Sequence, residues 1–593
     1  MGTFTLGVVT AFVLLTVVMT LFSGGRQMPQ VPNGAVLVLE PNGMIVEQIE
    51  YPDPLESAFS DYNRTPPQTS IHDITTALKR ASDDDRIAAV ALLTDRMGGA
   101  SPSHLHAMAA ALRNFKESGK KVFAVSSGYS QSAYLLAAEA DKIYMNPAGN
   151  VLLTGYGSYP MYFKSLLDKI EANVNVFRVG TYKSAVEPFI RDDMSDAAKE
   201  ANVAFLGGLW KQYEDSVTTA RGMEAGSLTK AIAEMPDHLR AASGDFAKLA
   251  LELGLVDELA PRTTWRDAIA QEYGAAGDSF KQIYYTSYLA ATDKLQSTGR
   301  EIAVITAQGQ IVGGDGPITV TAAETVIGYI RNARNNPDTA AIVLRVDSPG
   351  GSAFASELIR QELVAAQTQG IKVIASMGPV AASGGYWISA TADEIWAEPA
   401  TITGSIGIFG VIPTFENTLA KVGIHSDGVG TTPLAGAFNT SRPLSDTTKD
   451  IIQQSIEAGY DQFLQLVAEG RNMTVEDVDK VAQGRVWVGT KAKDLGLVDH
   501  LGNFEDAVAA AARAAEVEDY DVVFYRDHPS QWEQTLADLL NSTIGADVPG
   551  KGTAPKLSPM MQMAQQLKGD AEMLLNFNDP LGSYALCLLC TVK

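Results

Sequence analysis

The chain of 593 residues holds two cysteines, Cys587 and Cys590, both within its last seven positions. That scarcity excludes a disulfide framework across the body and a multi-cysteine metal site. The Cys-Leu-Leu-Cys pair itself reads as an ordinary or locally disulfide-linked tail. Histidine is also sparse: His72, His104, His106, His238, His425, His500 and His528 are all there are. Positive charge is in deficit, with 46 Lys and Arg against 69 Asp and Glu, a net charge of -23. No basic patch is available to neutralise phosphates, which excludes nucleic acid as a partner. No cofactor is expected. Long apolar runs are absent beyond the N-terminus, and the length calls for two or more domains.

The exception is Phe4 to Phe22, FTLGVVTAFVLLTVVMTLF, an uncharged run of about the length that spans a bilayer. A cleavable leader would carry a basic n-region, a shorter apolar stretch and a small-residue cleavage site, none of which is present. A retained anchor over residues 1–25 is therefore expected. Arg26 is the only basic residue near the span, so charge sets its orientation poorly.

Beyond this run the chain is a duplication. AVALLTDRMGG, from Ala89, and AIVLRVDSPGG, from Ala341, are both strand-like runs ending in Asp and a Gly-Gly turn. Each leads through a helical pattern to a second strand, KKVFAVSS or IKVIASM, and on to AYLLAAEADKIYMNPAG or GYWISATADEIWAEPAT. Asp95 to Asp141 spans the same distance as Asp347 to Asp393, and LGLVDEL returns as LGLVDHL. Short apolar strands alternating with helices predict βαβ crossovers and a mostly parallel sheet in each unit, over 30–290 and 296–526. Ser287 to Arg300 reads as a connector. Residues 527–593 read as linker and tail, in which MMQMAQQLKGDAEMLLNF forms one amphipathic helix suited to packing or oligomer contact.

Chemistry gathers around GPVAASGGYW. Ser383 follows a buried strand and opens a helix, where backbone N–H groups favour developing negative charge. On this stretch alone a helix cap is the leading reading, because serine is a common N-cap. In DSPGGS, Gly350 and Gly351 can expose N–H groups toward a carbonyl oxygen, or form a plain turn. No histidine lies beside either motif, though His104 and His106 sit in the helix after the first Gly-Gly. Lysine is the other base available to serine once burial lowers its pKa. Lys183, in GTYKSAVEPF, lies among small and apolar residues, whereas its counterpart in the second unit is Pro433. Alignment from Asp141 and Asp393 sets Gln131 opposite Ser383, and a one-residue gap would set Ser130 or Ser132 there. One unit holds the lysine, the other the Ser-Gly-Gly. A decayed copy predicts random losses, and a shared site predicts this division.

VGTYKSAVEPF with RDDMS, the DSPGGS turn, AASGGYW and TGSIG together resemble the long, duplicated form of the signal peptide peptidase SppA family over about residues 30–520. The resemblance implies an α/β fold of two tandem ClpP/crotonase-like repeats behind one N-terminal transmembrane helix. It implies a serine endopeptidase with Ser383 as nucleophile, Lys183 as base and Ser405, of TGSIG, orienting the lysine. Gly350, Gly351 and Gly384 are the oxyanion candidates. It further implies a homotetramer at a bacterial inner membrane with its catalytic body outside, taking signal peptides and other apolar peptides beside membrane lipid. Two rivals remain: a crotonase-like acyl-CoA enzyme, which would want carboxylates at the site, and a non-catalytic membrane scaffold.

Overall fold

Runs of valine, isoleucine and alanine form the central strands of two sheets, and their burial on both faces is what parallel crossover topology demands. The computed structural model describes residues 29–50, 67–293, 299–526, 579–580, 582–588 and 590. The Phe4–Phe22 run and the methionine-rich stretch 560–577 lie outside the described residues. Among the described residues no helix is long and apolar enough to cross a membrane.

In the first unit the strand order is Glu258–Leu259, Lys142–Met145, Lys121–Ser126, Ile87–Leu93, Ala35–Leu39 and Gln282–Tyr284, every neighbour parallel. The second unit repeats the plan with Lys372–Ala382, Thr339–Ser348, Glu301–Gln308 and Asp521–Tyr525 side by side and parallel. Its antiparallel edge is the pair Ile402–Gly404 and Val486–Val488. The α/β architecture in two repeats is thus as the alternating pattern predicts.

The duplication extends to single hydrogen bonds. Asp141 accepts from the N–H of Val122 at 2.8 Å, and Asp393 accepts from that of Val373 at 2.9 Å. The Tyr134 hydroxyl donates to the Leu255 carbonyl, and the Tyr386 hydroxyl to that of Leu497. Helices Asp196–Arg221 and Asp446–Arg471 are each 26 residues, each capped by a serine, Ser195 or Ser445. The predicted connector is a correction: it begins inside a helix, Tyr285–Thr292. Tyr285 and Tyr288 share one buried face there, and the Tyr288 hydroxyl donates to Asp84 at 3.0 Å.

The repeats interlock through a third sheet, ordered Asn173–Arg178, Phe409–Thr414, Tyr584–Leu586, Gly350–Ser352, Ile311–Val312 and Thr321–Ala322. Its first strand comes from the first repeat and its third from the chain's tail. A buried ionic cluster makes a second tie. Glu47 of the first repeat accepts from Arg345 Nη2 at 2.5 Å, and Arg345 also reaches Glu398 Oε1 at 3.0 Å. His104 and His72 approach the two Glu47 oxygens at 2.8 and 2.9 Å. Burial opposes the Glu47 charge, but Arg345 and the histidines outweigh it and hold the carboxyl well below the usual range.

Removing the arginine leaves Glu47 with only its histidine partners and Glu398 with no cation in contact among the described residues, and breaking a buried pair in this way costs about 3–5 kcal/mol. Arg345→Met is therefore expected to lower the urea unfolding midpoint substantially, and adding Glu47→Gln and Glu398→Gln to recover most of the loss. An unchanged midpoint in Arg345→Met would show that the cluster does not hold the repeats together.

Candidate active site

The strand Lys372–Ala382 ends at a residue that the backbone bends sharply. Ser383 has φ 57° and ψ -111°, a left-handed conformation that costs a non-glycine residue on the order of 1–3 kcal/mol. The surroundings hold it there. Its N–H donates to the Gly404 carbonyl at 2.8 Å, and its own carbonyl accepts from the Trp387 N–H at 2.8 Å. The next two residues, both glycine, leave no room for side chains. A Cβ on Gly384 would stand 2.7 Å from Ser356 Oγ, and one on Gly385 would stand 2.6 Å from the Ser348 carbonyl oxygen. A sharp strand-to-helix turn of this kind presents a serine hydroxyl at the end of a strand.

The first repeat shows what an ordinary cap looks like. Ser130 is extended, at φ -68° and ψ 166°, and its hydroxyl accepts from the Ala133 N–H. Ser383 makes no such bond, so the cap reading fails for it. The matching tyrosine bonds of Tyr134 and Tyr386 place Gln131, not Ser130, opposite Ser383. The Gln131 amide is spent on the Thr154 and Gly155 backbone, in the loop equivalent to TGSIG.

Lys183 arrives from the first repeat. Its loop is gripped by the second: the Tyr182 N–H donates to the Gln483 carbonyl at 2.8 Å, and the Val179 N–H to that of Ile408 at 3.2 Å. A Cβ on Gly484 would stand 2.6 Å from the Lys183 backbone nitrogen, so glycine alone permits that approach. The side chain is 1% exposed and carries Nζ to 2.8 Å from Ser383 Oγ. The Ser405 carbonyl oxygen lies 3.0 Å from the same nitrogen, and Ser405 Oγ 3.1 Å. Among the described residues no carboxylate stands within ion-pair distance of it, and burial alone lowers its pKa from 10.5 to about 7.

Proton accounting then decides the roles these atoms can fill. A neutral amine has two N–H donors and one lone pair. The Ser405 carbonyl can only accept, and Ser405 Oγ takes the second N–H, which leaves the lone pair for the Ser383 hydroxyl proton. Ser405 is itself held at φ 50°, with its N–H donating to the Arg485 carbonyl at 2.7 Å. The three side chains that sequence reading singled out are thus brought together.

The glycines separate. Gly384 opens its helix, so its N–H has no acceptor within that helix. The Gly350 N–H instead donates to Ser348 Oγ at 3.1 Å, and Gly351 lies in a strand opposite Ala585. His104 is committed to Glu47, which removes it as a base for Ser383. Sequence reading missed Gln483 and Gly484, whose left-handed pair recurs as Ser243 and Gly244 in the first repeat. No local signal distinguishes the copy that packs on the lysine.

The buried amine carries a stability consequence with a definite sign. Its folded pKa lies below the unfolded value, so the unfolded chain binds the proton more tightly and stability rises as pH climbs from about 7 toward 10.5. Lys183→Met removes this penalty. The variant is expected to melt at a higher temperature than the parent near neutral pH, with the gap closing by pH 10. A gap that stays constant with pH would mean that the lysine is not held neutral.

The model of peptidase family S49 matches residues 114–270 and again 365–518. Protease 4 of Salmonella typhi is 42% identical, over 95% of this chain and 92% of its own length. Protease 4 of Haemophilus influenzae is 38% identical, over 98% and 95%. The chloroplastic serine protease SPPA of Arabidopsis thaliana is 28% identical, over 89% and 77%. A solved ClpP1 mutant from Listeria monocytogenes aligns at a TM-score of 0.24 and 17% identity, covering 35% of this chain and 94% of its own, too slight a likeness to support a fold assignment. Two matches of one family model, one in each repeat, together with near-full-length relatives, show that this chain is a serine peptidase belonging to peptidase family S49.

Proposed function

We propose that this peptidase cleaves peptide bonds with Ser383 as nucleophile and Lys183 as general base. The observation that carries the reading is the 2.8 Å approach of a buried amine, held by two oxygens of Ser405, to a serine hydroxyl on a strained turn. The Lys183 lone pair takes the hydroxyl proton as Ser383 Oγ bonds to the substrate carbonyl carbon. The Gly384 N–H faces the oxyanion. The ammonium then gives its proton to the departing amine, leaving an acyl-enzyme. Lys183, neutral again, takes a proton from water, which attacks the ester and frees Ser383.

The pocket beside the lysine is lined by Ala185, Phe205 and Val486 among others. An apolar lining suits hydrophobic peptides and supports the degradation of cleaved signal peptides as the role. The Phe4–Phe22 run supports a single-pass anchor in a bacterial inner membrane. Cys587 and Cys590 form a disulfide, which supports an oxidising, periplasmic setting for the body. Each repeat is read as a ClpP/crotonase-type unit because its parallel sheet and crossover helices place a Gly-Gly turn after a central strand. A crotonase-like acyl-CoA enzyme is not favoured, since among the described residues Lys183 and Ser383 meet no carboxylate.

Assembly into a homotetramer is supported by a symmetry argument. Within the chain, Asn173–Arg178 of the first repeat pairs with Phe409–Thr414 of the second. The equivalents of those strands are 423–428 and 157–162, which pair with no strand among the described residues. They and their neighbours expose Ile424, Val422, Val429 and Tyr159, the last two at 103% and 86%. Joining one copy's 423–428 to the next copy's 157–162 repeats the internal contact head to tail, and such contacts form a ring where the rotation between copies closes. Tyr159→Asp with Val429→Asp is expected to convert tetramers into smaller species in sedimentation, and unchanged sedimentation would contradict this geometry.

Three measurements test the chemistry. Lys183→Met should lower kcat/KM on a peptide ester by at least about 10²–10⁴-fold, the contribution of a general base. Ser383→Ala should abolish both hydrolysis and labelling by a fluorophosphonate. The parent's kcat/KM should rise with pH through an apparent pKa near 7, as the amine loses its proton. Hydrolysis that survives Ser383→Ala, or that stays near the parent's rate in Lys183→Met, would overturn the assignment.

A further inference from the structure

The turn after the helix Val475–Val481 delivers Gly484, Arg485 and Trp487 to one side of the site. The Arg485 N–H donates to the Ala482 carbonyl at 2.9 Å, which sets the course of that turn. Its guanidinium carbon lies over the Tyr182 ring at 4.7 Å from the centre, and over the Trp487 ring at 4.7 Å. The cation thus meets one aromatic ring from each repeat. Its Nη1 lies 3.0 Å from Glu200 Oε1, on the first repeat's helix Asp196–Arg221, and the Tyr182 hydroxyl donates to the same oxygen at 3.4 Å. Arg485 Nε has no partner among the described residues, so two rings and one carboxylate hold the group.

Each member of this group touches a residue that carries or aims the catalytic side chains. Tyr182 immediately precedes Lys183. The Arg485 carbonyl accepts from the Ser405 N–H at 2.7 Å. A Cβ on Gly404 would stand 2.8 Å from Trp487 Cδ1 and 3.0 Å from the Arg485 carbonyl oxygen. The carbonyl of that same glycine accepts from the Ser383 N–H at 2.8 Å. The Trp487 ring is itself fixed, since Nε1 donates to the Val481 carbonyl at 2.8 Å. An ion pair to Glu200, whose side chain is 58% exposed, contributes little by itself. A planar guanidinium over two rings supplies a geometry that an ammonium lacks.

We propose that Arg485 is a positioning residue, a clamp whose flat cation holds the lysine loop of the first repeat against the serine turns of the second. The proposal rests on the assignment of Ser383 and Lys183 as the catalytic pair. The backbone carbonyl of residue 485 persists in every variant, so the side chain alone is at issue. Without it Tyr182 loses its partner, the lysine loop loosens and water reaches the amine. The amine then stands farther from Ser383 Oγ on average and holds its proton more tightly. Charged side chains packed about this loop include Arg485, Glu200 and Arg178, whose Nη1 donates to the Lys183 carbonyl at 3.3 Å. Deleting a cation also eases protonation of the amine through charge alone, and Arg485→Lys separates that effect from stacking.

The test measures kcat, KM and the pH profile of peptide-ester hydrolysis for the parent, Arg485→Ala, Arg485→Lys and Glu200→Gln. Each rate is divided by the active fraction from fluorophosphonate titration. Arg485→Ala is expected to lower kcat at pH 7 by about 10–10²-fold, with KM within about twofold of the parent's. Its apparent pKa should climb from near 7 by about one unit or more. Arg485→Lys should match Arg485→Ala, because it keeps the charge without the flat face. Glu200→Gln, at an exposed position that leaves the fold intact, should move the apparent pKa the same way by about half as much. A reduced active fraction with an unmoved apparent pKa in Arg485→Ala would mean that Arg485 serves folding alone, and would overturn the proposal. So would a parent-like profile in Arg485→Lys, since charge and not stacking would then be at work. Should the Arg485 variants not fold, Glu200→Gln decides, and the parent's apparent pKa in it overturns the clamp. Hydrolysis that persists in Ser383→Ala would instead overturn the catalytic pair, whatever the Arg485 variants do.

Discussion

Everything in this site depends on one buried amine that, among the described residues, has no counter-charge. A lysine in water is protonated at neutral pH, and a carboxylate nearby would keep it so. Lys183 is buried, with no carboxylate within ion-pair distance among the described residues, and burial brings its pKa down to about 7. Relative to 10.5 that corresponds to roughly 5 kcal/mol against the ammonium form, at about 1.36 kcal/mol per unit. The fold must supply that energy elsewhere. It does so with two interleaved repeats, a shared sheet and a buried ionic cluster that pairs Glu47 with Arg345.

Duplication explains how such a site could be divided. Each repeat keeps the same sheet, the same aspartate–backbone bonds and the same long capped helix. What differs is the chemistry at equivalent positions. The first repeat has Gln131 where the second has Ser383, and the second has Pro433 in an exposed loop where the first has Lys183. The strand pair Asn173–Arg178 and Phe409–Thr414 carries the lysine loop across to the serine. One complete site is made from two incomplete ones.

Much of this was legible in the sequence because strand-and-helix alternation has a strong period and the repeats validate each other. The buried strands, the Gly-Gly turns and the complementary loss of Ser and Lys all show as residue patterns. The meaning of Ser383 was less legible, since A-S-G-G fits a helix cap as well as a nucleophile. Only its φ of 57° and its missing cap bond separate the two. Gly484 and Gln483 could not be read at all, because their role comes from packing on a loop some 300 positions earlier. The same holds for Gly350, whose N–H turns to Ser348, and for the tail, whose short apolar run has no period to mark it as a strand. The segment from Ser287 misled because its small and polar residues hide one buried tyrosine face.

The most direct test of the central claim is to watch the amine itself. With lysine labelled at Cε by ¹³C, and with Lys183→Met used to assign the resonance, the shift of the Lys183 carbon can be followed from pH 5 to 11. A transition near pH 7, well below that of every exposed lysine, is the predicted result. A transition near 10.5 would mean that the amine is charged at neutral pH, and Lys183 could not then take the Ser383 proton.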